Sequence, residues 1–296
     1  MTAHVVSLGC RLNIAESETI RAMLQDGPAT VVVNSCAVTA EAVRQSRRAV
    51  RRLRREHPDA RLVVTGCAAT IEHDAFTQMP EVDAVVPNAE KLAPAHWNAT
   101  AAPARIPAKH TRAFVPVQNG CDHACTFCII PQGRGPSTSL AVADVLRAIE
   151  PHLDLGVAEV VLTGVDVTSW GTDLSGQPKL GDLVAAILAA FPTLPRLRLS
   201  SLDGVEIDPL MFDLITGEPR VMPHIHLSLQ SGDDMILKRM KRRHTSAQAI
   251  ALVRQMKDRR PDIAIGADLI AGFPTETPDM HASNLAILRE CEIVHG

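Results

Sequence analysis

Six of the seven cysteines in this chain fall into two sets of three whose positions suit metal chemistry. Cys121, Cys125 and Cys128 form a CxxxCxxC loop. Three thiolates on one short loop can ligate three irons of a cubane cluster, leaving a fourth iron open to a small molecule. A zinc site would need a fourth ligand, and His123, inside the loop, would have to bend back to supply it. Inert buried thiols are the third reading. The spacing favours iron–sulfur over both.

The second set is scattered. Cys10 follows HVVSLG, Cys36 follows TVVVNS and Cys67 follows RLVVTG, so each comes just after a run that reads as a strand. Parallel strands bring their carboxyl ends to one sheet edge, where open α/β sheets bind ligands, and the three thiols should meet there in a second cluster. Small buried hydrophobes are the alternative for these cysteines. Cys291 stands alone on a predicted helix and reads as core packing.

To hold those positions the chain needs alternating strands and helices. The pattern predicts strands His4–Leu8, Thr30–Val33, Arg61–Thr65 and Val82–Val86, with helices Ala15–Gln25 and Ala40–His57, the second stopped by Pro58. An Ala- and Pro-rich stretch, Ala93–Pro107, reads as a linker. Beyond it come strands at Ala113–Gln118, Glu159–Leu162, Arg196–Ser200, His224–Leu229 and Ile263–Ile270. The helices between them are Leu140–Leu153, Leu180–Phe191, Asp208–Ile215, Ser246–Asp258 and Asp279–Glu290. Successive β–α units with right-handed crossovers curl toward a barrel. The chain then stops at Gly296, after a helix and without a closing strand. The fold class is therefore α/β: an N-terminal parallel-sheet domain (1–100), a linker (101–112) and an incomplete (β/α)6 partial barrel (113–296).

Composition narrows the class further. At 296 residues, 46% hydrophobic and 21% charged, the chain can bury a core. Its formal charge of -3 means that nucleic-acid affinity must come from local basic patches. Only 3% of residues are aromatic and none is tyrosine, which counts against a single-strand binding module built on stacking platforms. No apolar run is long enough to span a membrane, and no secretory leader is recognisable. A cytoplasmic protein with reduced thiols is expected.

The string GCDHACTFCIIPQGRG resembles the signature of radical S-adenosylmethionine enzymes. With GCRLNIAESE, VVVNSCAVTAEA and VTGCAA, the chain is similar to the methylthiotransferase family along nearly its whole length. NSCAVTAEAVRQSRRAVRR, HLSLQSGDDMILKRMKRRHT and GADLIAGFPTET look most like the subgroup acting on C2 of N6-threonylcarbamoyladenosine at tRNA position 37. Sister groups act on isopentenyladenosine in tRNA or on a ribosomal-protein aspartate. Family members continue into the end of the barrel and a small RNA-binding TRAM domain, which this sequence lacks.

The resemblance implies two 4Fe-4S clusters and S-adenosyl-L-methionine. The loop cluster would bind the cofactor at its open iron and cleave it to a 5'-deoxyadenosyl radical, because adenine C2–H is too weakly acidic for a side-chain base. The cluster on Cys10, Cys36 and Cys67 would hold the sulfur that is methylated by a second cofactor molecule and then inserted. The implied partners are tRNA and an electron donor such as flavodoxin or ferredoxin, with the enzyme a monomer and no membrane involved.

The expected cofactor cradle lies at the carboxyl ends of the barrel strands: Thr163 and Gly164, Ser200 and Ser201, Gln230 to Gly232, and Ile270 to Gly272. Ordinary turn chemistry explains any one of these residues equally well. Asp268, inside the last strand, reads equally as a satisfied core polar group. Two basic runs remain. Arg44, Arg47, Arg48, Arg51 and Arg55 share one helix face with Arg52 and Arg54 nearby, and Lys238, Arg239, Lys241, Arg242 and Arg243 cluster later. Either run is a solvated face or a phosphate track. From another class, a non-catalytic iron–sulfur or zinc protein that binds RNA is the rival reading.

Overall fold

In the computed structural model, which describes residues 3–24, 28–101 and 111–296, each β-branched run of the N-terminal third becomes a strand of one parallel sheet. The order is β1 (His4–Ser7), α1 (Arg11–Met23), β2 (Thr30–Ser35), α2 (Ala40–Glu56), β3 (Arg61–Gly66), α3 (Cys67–Ile71), α4 (His73–Thr77) and β4 (Ala84–Val85). The strands lie side by side in sequence order. All six residues of β2 are buried, as a central strand covered on both faces requires. Val31, Val33 and Val64 pack against Val50, Leu53 and Phe76 on one face. Val5, Val32 and Val63 meet Ile20, Leu24 and Trp97 on the other.

Three boundaries differ from the sequence reading. Helix α1 starts at Arg11, four residues early, because Cys10 is its N-cap and the Cys10 carbonyl accepts from Ile14 N at 3.2 Å. Strand β4 shrinks to two residues because the Asp83 carboxylate takes the Leu62 amide at 2.6 Å in place of a backbone acceptor. The start of the expected linker is packed: Pro94–Trp97 form a 3-10 turn, and the Trp97 indole, 1% exposed, donates to Lys91 O at 2.7 Å. Residues 102–110 of that linker, and Gln25 of the first predicted helix, lie outside the described residues.

The second half runs β5 (Ala113–Pro116), β6 (Gln118–Asn119), α5 (Ile130–Arg134), β7 (Thr138–Ser139), α6 (Val142–Asp154), β8 (Glu159–Thr163), α7 (Leu180–Ala190), β9 (Arg196–Leu199), α8 (Pro209–Gly217), β10 (His224–Gln230), α9 (Asp234–Arg239), α10 (Ser246–Arg259), β11 (Ala264–Leu269), α11 (Pro278–Glu290) and β12 (Ile293–His295). Two parallel sheets, β5-β8-β9 and β10-β11-β12, are joined by parallel bridges at Leu197–Val221 and Leu202–Leu227 into one arc of six strands. Helices α6, α7, α8 and α10 cover its outer face, where Val160, Leu162, Leu197, Ile225 and Ile265 form the core. Helix α1 of the first sheet packs on the β5 edge.

The end of the chain corrects the sequence reading. Ile293–His295 forms a sixth parallel strand beside β11, whereas no strand was expected after the last helix. The run predicted as Ala113–Gln118 also divides. Gln118 and Asn119 leave the sheet to pair antiparallel with Ser139 and Thr138, and this hairpin encloses the CxxxCxxC loop.

Candidate functional site

The scattered cysteines do converge. Each leaves a carboxyl end of the first sheet, and the turns between them are packed tightly: a Cβ on Gly9 would lie 2.6 Å from Cys36 Sγ. Burial pushes the Cys67 thiol up, the neighbouring Cys10 and Cys36 thiols push the same way, and Arg134 and Lys91 oppose them. Amide side chains tie the three turns together. Asn13 Nδ2 donates to Leu8 O at 2.7 Å and Ser35 O at 3.1 Å, and Asn34 Nδ2 donates to Asn13 O at 3.0 Å. Ser35 Oγ accepts from Ala69 N at 3.0 Å.

Beneath this triad lies a buried charge group that sequence reading missed. Glu16 pairs with Lys91 Nζ at 2.5 Å and with Arg134 NH1 at 3.0 Å, and Arg134 NH2 reaches Asn13 Oδ1 at 2.5 Å. All three charged side chains are nearly inaccessible. Burial works against the Arg134 charge, but Glu16 more than compensates and holds its pKa above the ordinary value. Lys91 goes the other way, its pKa pushed down by burial despite Glu16.

The thiols of the loop triad stand in one another's field too. Burial, with Asp166, Cys128 and Cys125 adding to it, pushes the Cys121 thiol up to about 12, although the His123 amide donates to its Sγ at 3.4 Å. Burial raises Cys128 too, with Cys125 beside it. Metal ligation needs thiolates, so a cationic metal centre held by these cysteines would oppose the upward shifts. The loop is pinned at the end of α9: Thr126 N and Oγ1 donate to Met240 O at 3.2 Å and Arg239 O at 3.0 Å. Arg242 reaches Cys125 Sγ at 3.7 Å, Asp203 at 2.9 Å and Ser228 O at 2.9 Å.

His123 behaves differently from expectation. Its ring does turn back, and the donor atoms of Cys121, His123 and Asp166 lie within 4.8 Å of one another. Its Nε2 is engaged, 2.8 Å from Asp166 and 2.9 Å from Arg243. These three donors still lack a fourth, so a zinc site is incomplete among the described residues.

One short helix joins the two centres. α5 begins two residues after Cys128 and packs on α3, which begins with Cys67. A Cβ on Gly133 would lie 3.1 Å from Cys67 Cβ, so only glycine allows this approach without displacement. Arg134 is the next residue.

The expected cradle residues share the carboxyl edge of the arc, but their glycines serve different ends. A Cβ on Gly164 would meet Gln118 O at 2.8 Å, and one on Gly232 would meet Ser283 O at 2.3 Å, so both make room for the protein itself. Gly272 has φ +75 and open space. Thr163 and Ser200 are buried, the latter with no hydrogen-bond partner for its Oγ, whereas Ser201 is exposed. Gln230 holds a left-handed φ of 66°, a strained turn, and its carbonyl accepts from Ile270 N at 2.8 Å. Sequence reading missed Asn284, which accepts from Ser231 Oγ at 3.0 Å and Gly232 N at 2.6 Å and donates to Glu276 at 2.8 Å. It also missed Gln118, whose Oε1 accepts from Val165 N at 3.0 Å and Asp166 N at 2.9 Å. Asp268 is no core group: it is exposed, 3.3 Å from His226 Nε2.

The basic runs divide as well. Arg47 is committed to Glu72 and stacks over Phe76, while Arg54 binds Asp83 and the Glu81 and Ala60 carbonyls. Arg44 and Arg48 face Glu41, and Arg51 is 3.9 Å from Glu81. In the second run Arg242 and Arg243 turn inward to the cysteine loop and its carboxylates. Lys238, Arg239 and Lys241 are exposed.

Among the described residues no helix is long and apolar enough to cross a membrane. Residues 115–285 match the radical SAM superfamily, and residues 2–87 match the uncharacterized protein family UPF0004. The chain is 44% identical to the threonylcarbamoyladenosine tRNA methylthiotransferase MtaB of Rickettsia prowazekii, an alignment covering 98% of this chain and 73% of that protein. It is 33% identical to the tRNA-2-methylthio-N(6)-dimethylallyladenosine synthase of Chloroflexus aurantiacus over 93% of this chain and 64% of that one. The radical S-adenosylmethionine methyltransferase TsrM of Kitasatospora setae shares the fold, with a TM-score of 0.65 at 15% identity over 95% of this chain and 64% of that one. A cysteine loop at the mouth of a six-strand arc, joined to a UPF0004 sheet and aligned almost end to end with such a relative, belongs to one lineage: this chain is a member of the radical SAM superfamily and, within it, of the methylthiotransferase family.

Proposed function

We propose that the chain methylthiolates C2 of N6-threonylcarbamoyladenosine at position 37 of tRNA, with Cys121, Cys125 and Cys128 ligating one 4Fe-4S cluster and Cys10, Cys36 and Cys67 a second. The observation that carries this reading is the approach of the two cysteine triads to each other across α5, with Gly133 against Cys67. Identity of 44% to a relative named for that substrate supports the choice over the dimethylallyladenosine relative at 33%. The bound clusters and S-adenosyl-L-methionine supply the one-electron chemistry that an unactivated C–H bond demands.

The side chains contribute position and polarity. Arg242 places a cation 3.7 Å from Cys125 Sγ and opposes the upward shift of Cys128. At the sheet edge, Arg134 and Lys91 both oppose the upward shift of Cys67. Gln118 and Asn284 brace the cradle loops, which Thr163, Ser200, Ser201, Gln230, Ile270 and Gly272 line. The exposed Lys238 and Lys241 are available to tRNA phosphates or to an acidic electron donor such as flavodoxin or ferredoxin.

Mass spectrometry of tRNA nucleosides tests the substrate. Cells lacking the gene lose the 2-methylthio group of N6-threonylcarbamoyladenosine, and a plasmid copy restores it. Loss of the methylthio group from isopentenyladenosine, or from a ribosomal-protein aspartate, would overturn the assignment.

A further inference from the structure

The two basic runs differ in what their charges face. Along α2, Arg44, Arg47, Arg48, Arg51, Arg52 and Arg54 each have a carboxylate within ion-pair distance. In the second run Arg242 and Arg243 are neutralised in the same way by Asp203 and Glu206. Lys238, Arg239 and Lys241 are exposed, and none of them has a carboxylate partner among the described residues. The nearest acids in sequence, Asp233 and Asp234, sit at the amino end of α9 and accept from the Met235, Ile236 and Ser246 amides. Three uncompensated positive charges are thus gathered within four residues at the carboxyl end of that helix.

The backbone is strained at the same place. Helix α9 ends in a Schellman turn, in which Arg242 N donates to Leu237 O at 2.9 Å and Lys241 N to Lys238 O at 3.0 Å. Lys241 holds the left-handed position of that turn, at φ 57°, where glycine is the usual residue because a Cβ is crowded there. A lysine stands here nonetheless, and its side chain makes no hydrogen bond or ion pair among the described residues. Strain kept without an internal contact to account for it points to a role outside the chain.

The patch is fastened to the loop that carries Cys121, Cys125 and Cys128. The two bonds from Thr126 end on Met240 O and Arg239 O, and Thr126 directly follows Cys125. Arg239 NH1 donates to Thr275 Oγ1 at 2.7 Å, which fixes its guanidinium beside the next loop of the arc. A protein seated on these three cations is one peptide and one hydrogen bond away from a cysteine of the loop. The sheet-edge triad meets the loop through α5, beyond Cys128, so the patch and the contact between the triads use different parts of it.

We infer that the carboxyl end of α9 is the docking site of an acidic protein carrying a one-electron donor, of the flavodoxin or ferredoxin class. This rests on the loop cluster proposed above. The donor is oxidised by one electron, the loop cluster is reduced by one, and no atom is transferred. Electron-transfer encounters are small and transient, and steering by a few unpaired charges suits them. An RNA backbone presents a long line of charge, and the run long enough to follow it, α2, has its cations committed to carboxylates.

The test uses the reconstituted holoenzyme and a purified bacterial flavodoxin. At about 50 mM salt, Lys238→Glu combined with Lys241→Glu should weaken the complex about 10-fold or more, and the gap should close near about 0.5 M salt. Zero-length carbodiimide coupling should join flavodoxin carboxylates to Lys238 and Lys241, as read by peptide mass spectrometry. Lys241→Gly removes one charge and suits the left-handed turn, so weaker flavodoxin binding at undiminished urea stability reads the charge and not the fold. In the double variant, the yield of 5'-deoxyadenosine with flavodoxin relative to that with dithionite should fall as the affinity does, because dithionite needs no docking site. A flavodoxin affinity untouched by the double substitution overturns the site. So does a double variant that loses affinity for a tRNA anticodon stem-loop while keeping flavodoxin, which would make the patch a phosphate contact. If the wild-type protein holds no iron at the loop cysteines, or releases no 5'-deoxyadenosine even with dithionite, the cluster reading itself has failed, an outcome separate from loss of the docking site.

Discussion

The two cysteine triads are gathered by opposite routes. Cys121, Cys125 and Cys128 lie within eight residues, and their loop is held locally by the β6–β7 hairpin and two hydrogen bonds from Thr126, with Arg242 and Asp166 reaching in from the arc. Cys10, Cys36 and Cys67 are brought together by three strands, and the assembly sits on Glu16, Lys91 and Arg134, charges buried from both halves of the molecule. A local ligand set depends on its loop. A dispersed one depends on the whole fold, and its buried ion group ties cluster assembly to the contact between the two sheets.

If the triads have separate tasks, single cysteine substitutions separate them completely. Cys125→Ala should abolish reductive cleavage of S-adenosyl-L-methionine and all product. Cys10→Ala should abolish product while cleavage persists in part. Each should retain about half of the roughly eight irons of two cubanes. Methylthiolation surviving in Cys10→Ala would end the division of labour.

The second contrast concerns stability. Arg134→Gln leaves Glu16 with less cation in a buried place and should cost about 3–5 kcal/mol in urea unfolding, the usual consequence of breaking a buried ion pair. At the loop triad, Asp203→Asn neutralises the buried partner of Arg242 but leaves an amide oxygen in place to accept, Arg242 keeps Ser228 O, and the half-exposed Arg243 keeps Glu206. That substitution should cost less. An equal or reversed order would mean that the dispersed triad does not lean on its charge group.

The same contrast explains what could be read from the sequence. The loop triad was legible from spacing, and the sheet-edge triad from three strands each followed by a cysteine, because strand ends in a parallel sheet coincide. The alternation of hydrophobic runs located five of the six strands of the arc. The three-residue Ile293–His295 strand was too short to show a period. What stayed hidden was everything defined only by the tertiary fold. Glu16 reads as an ordinary helical acid until Lys91 and Arg134 arrive from 75 and 118 residues away. Arg242 and Arg243 look like part of a solvated basic run, but two of its five cations turn inward. Gly164 and Gly232 looked like room for a ligand and proved to be room for Gln118 and Ser283.

The smallest expected difference between the two centres is in acid sensitivity, which should reside on the loop side. His244 is buried beside Asp203, its Nε2 3.2 Å from Leu229 O and its Nδ1 without a hydrogen-bond partner, 3.9 Å from Asp203. Burial, and then Arg242, push its pKa below the ordinary 6.5, with Asp203 opposing. The unfolded chain therefore takes up this proton near pH 6.5 while the folded protein does not, so the unfolded state binds more protons and stability falls as pH falls below that value. The slope contributed by one such group is at most about 1.4 kcal/mol per pH unit, and it disappears once pH is below the folded pKa. Urea unfolding of wild type and His244→Gln at pH 7.5, 6.5 and 5.5 measures it. The variant should lose less stability between pH 6.5 and 5.5 than wild type, yet keep some slope. His152, buried in α6 with its pKa also pushed down by burial, retains its own share. Parallel curves for the two proteins would remove His244 from the acid response and leave the two centres alike in this respect.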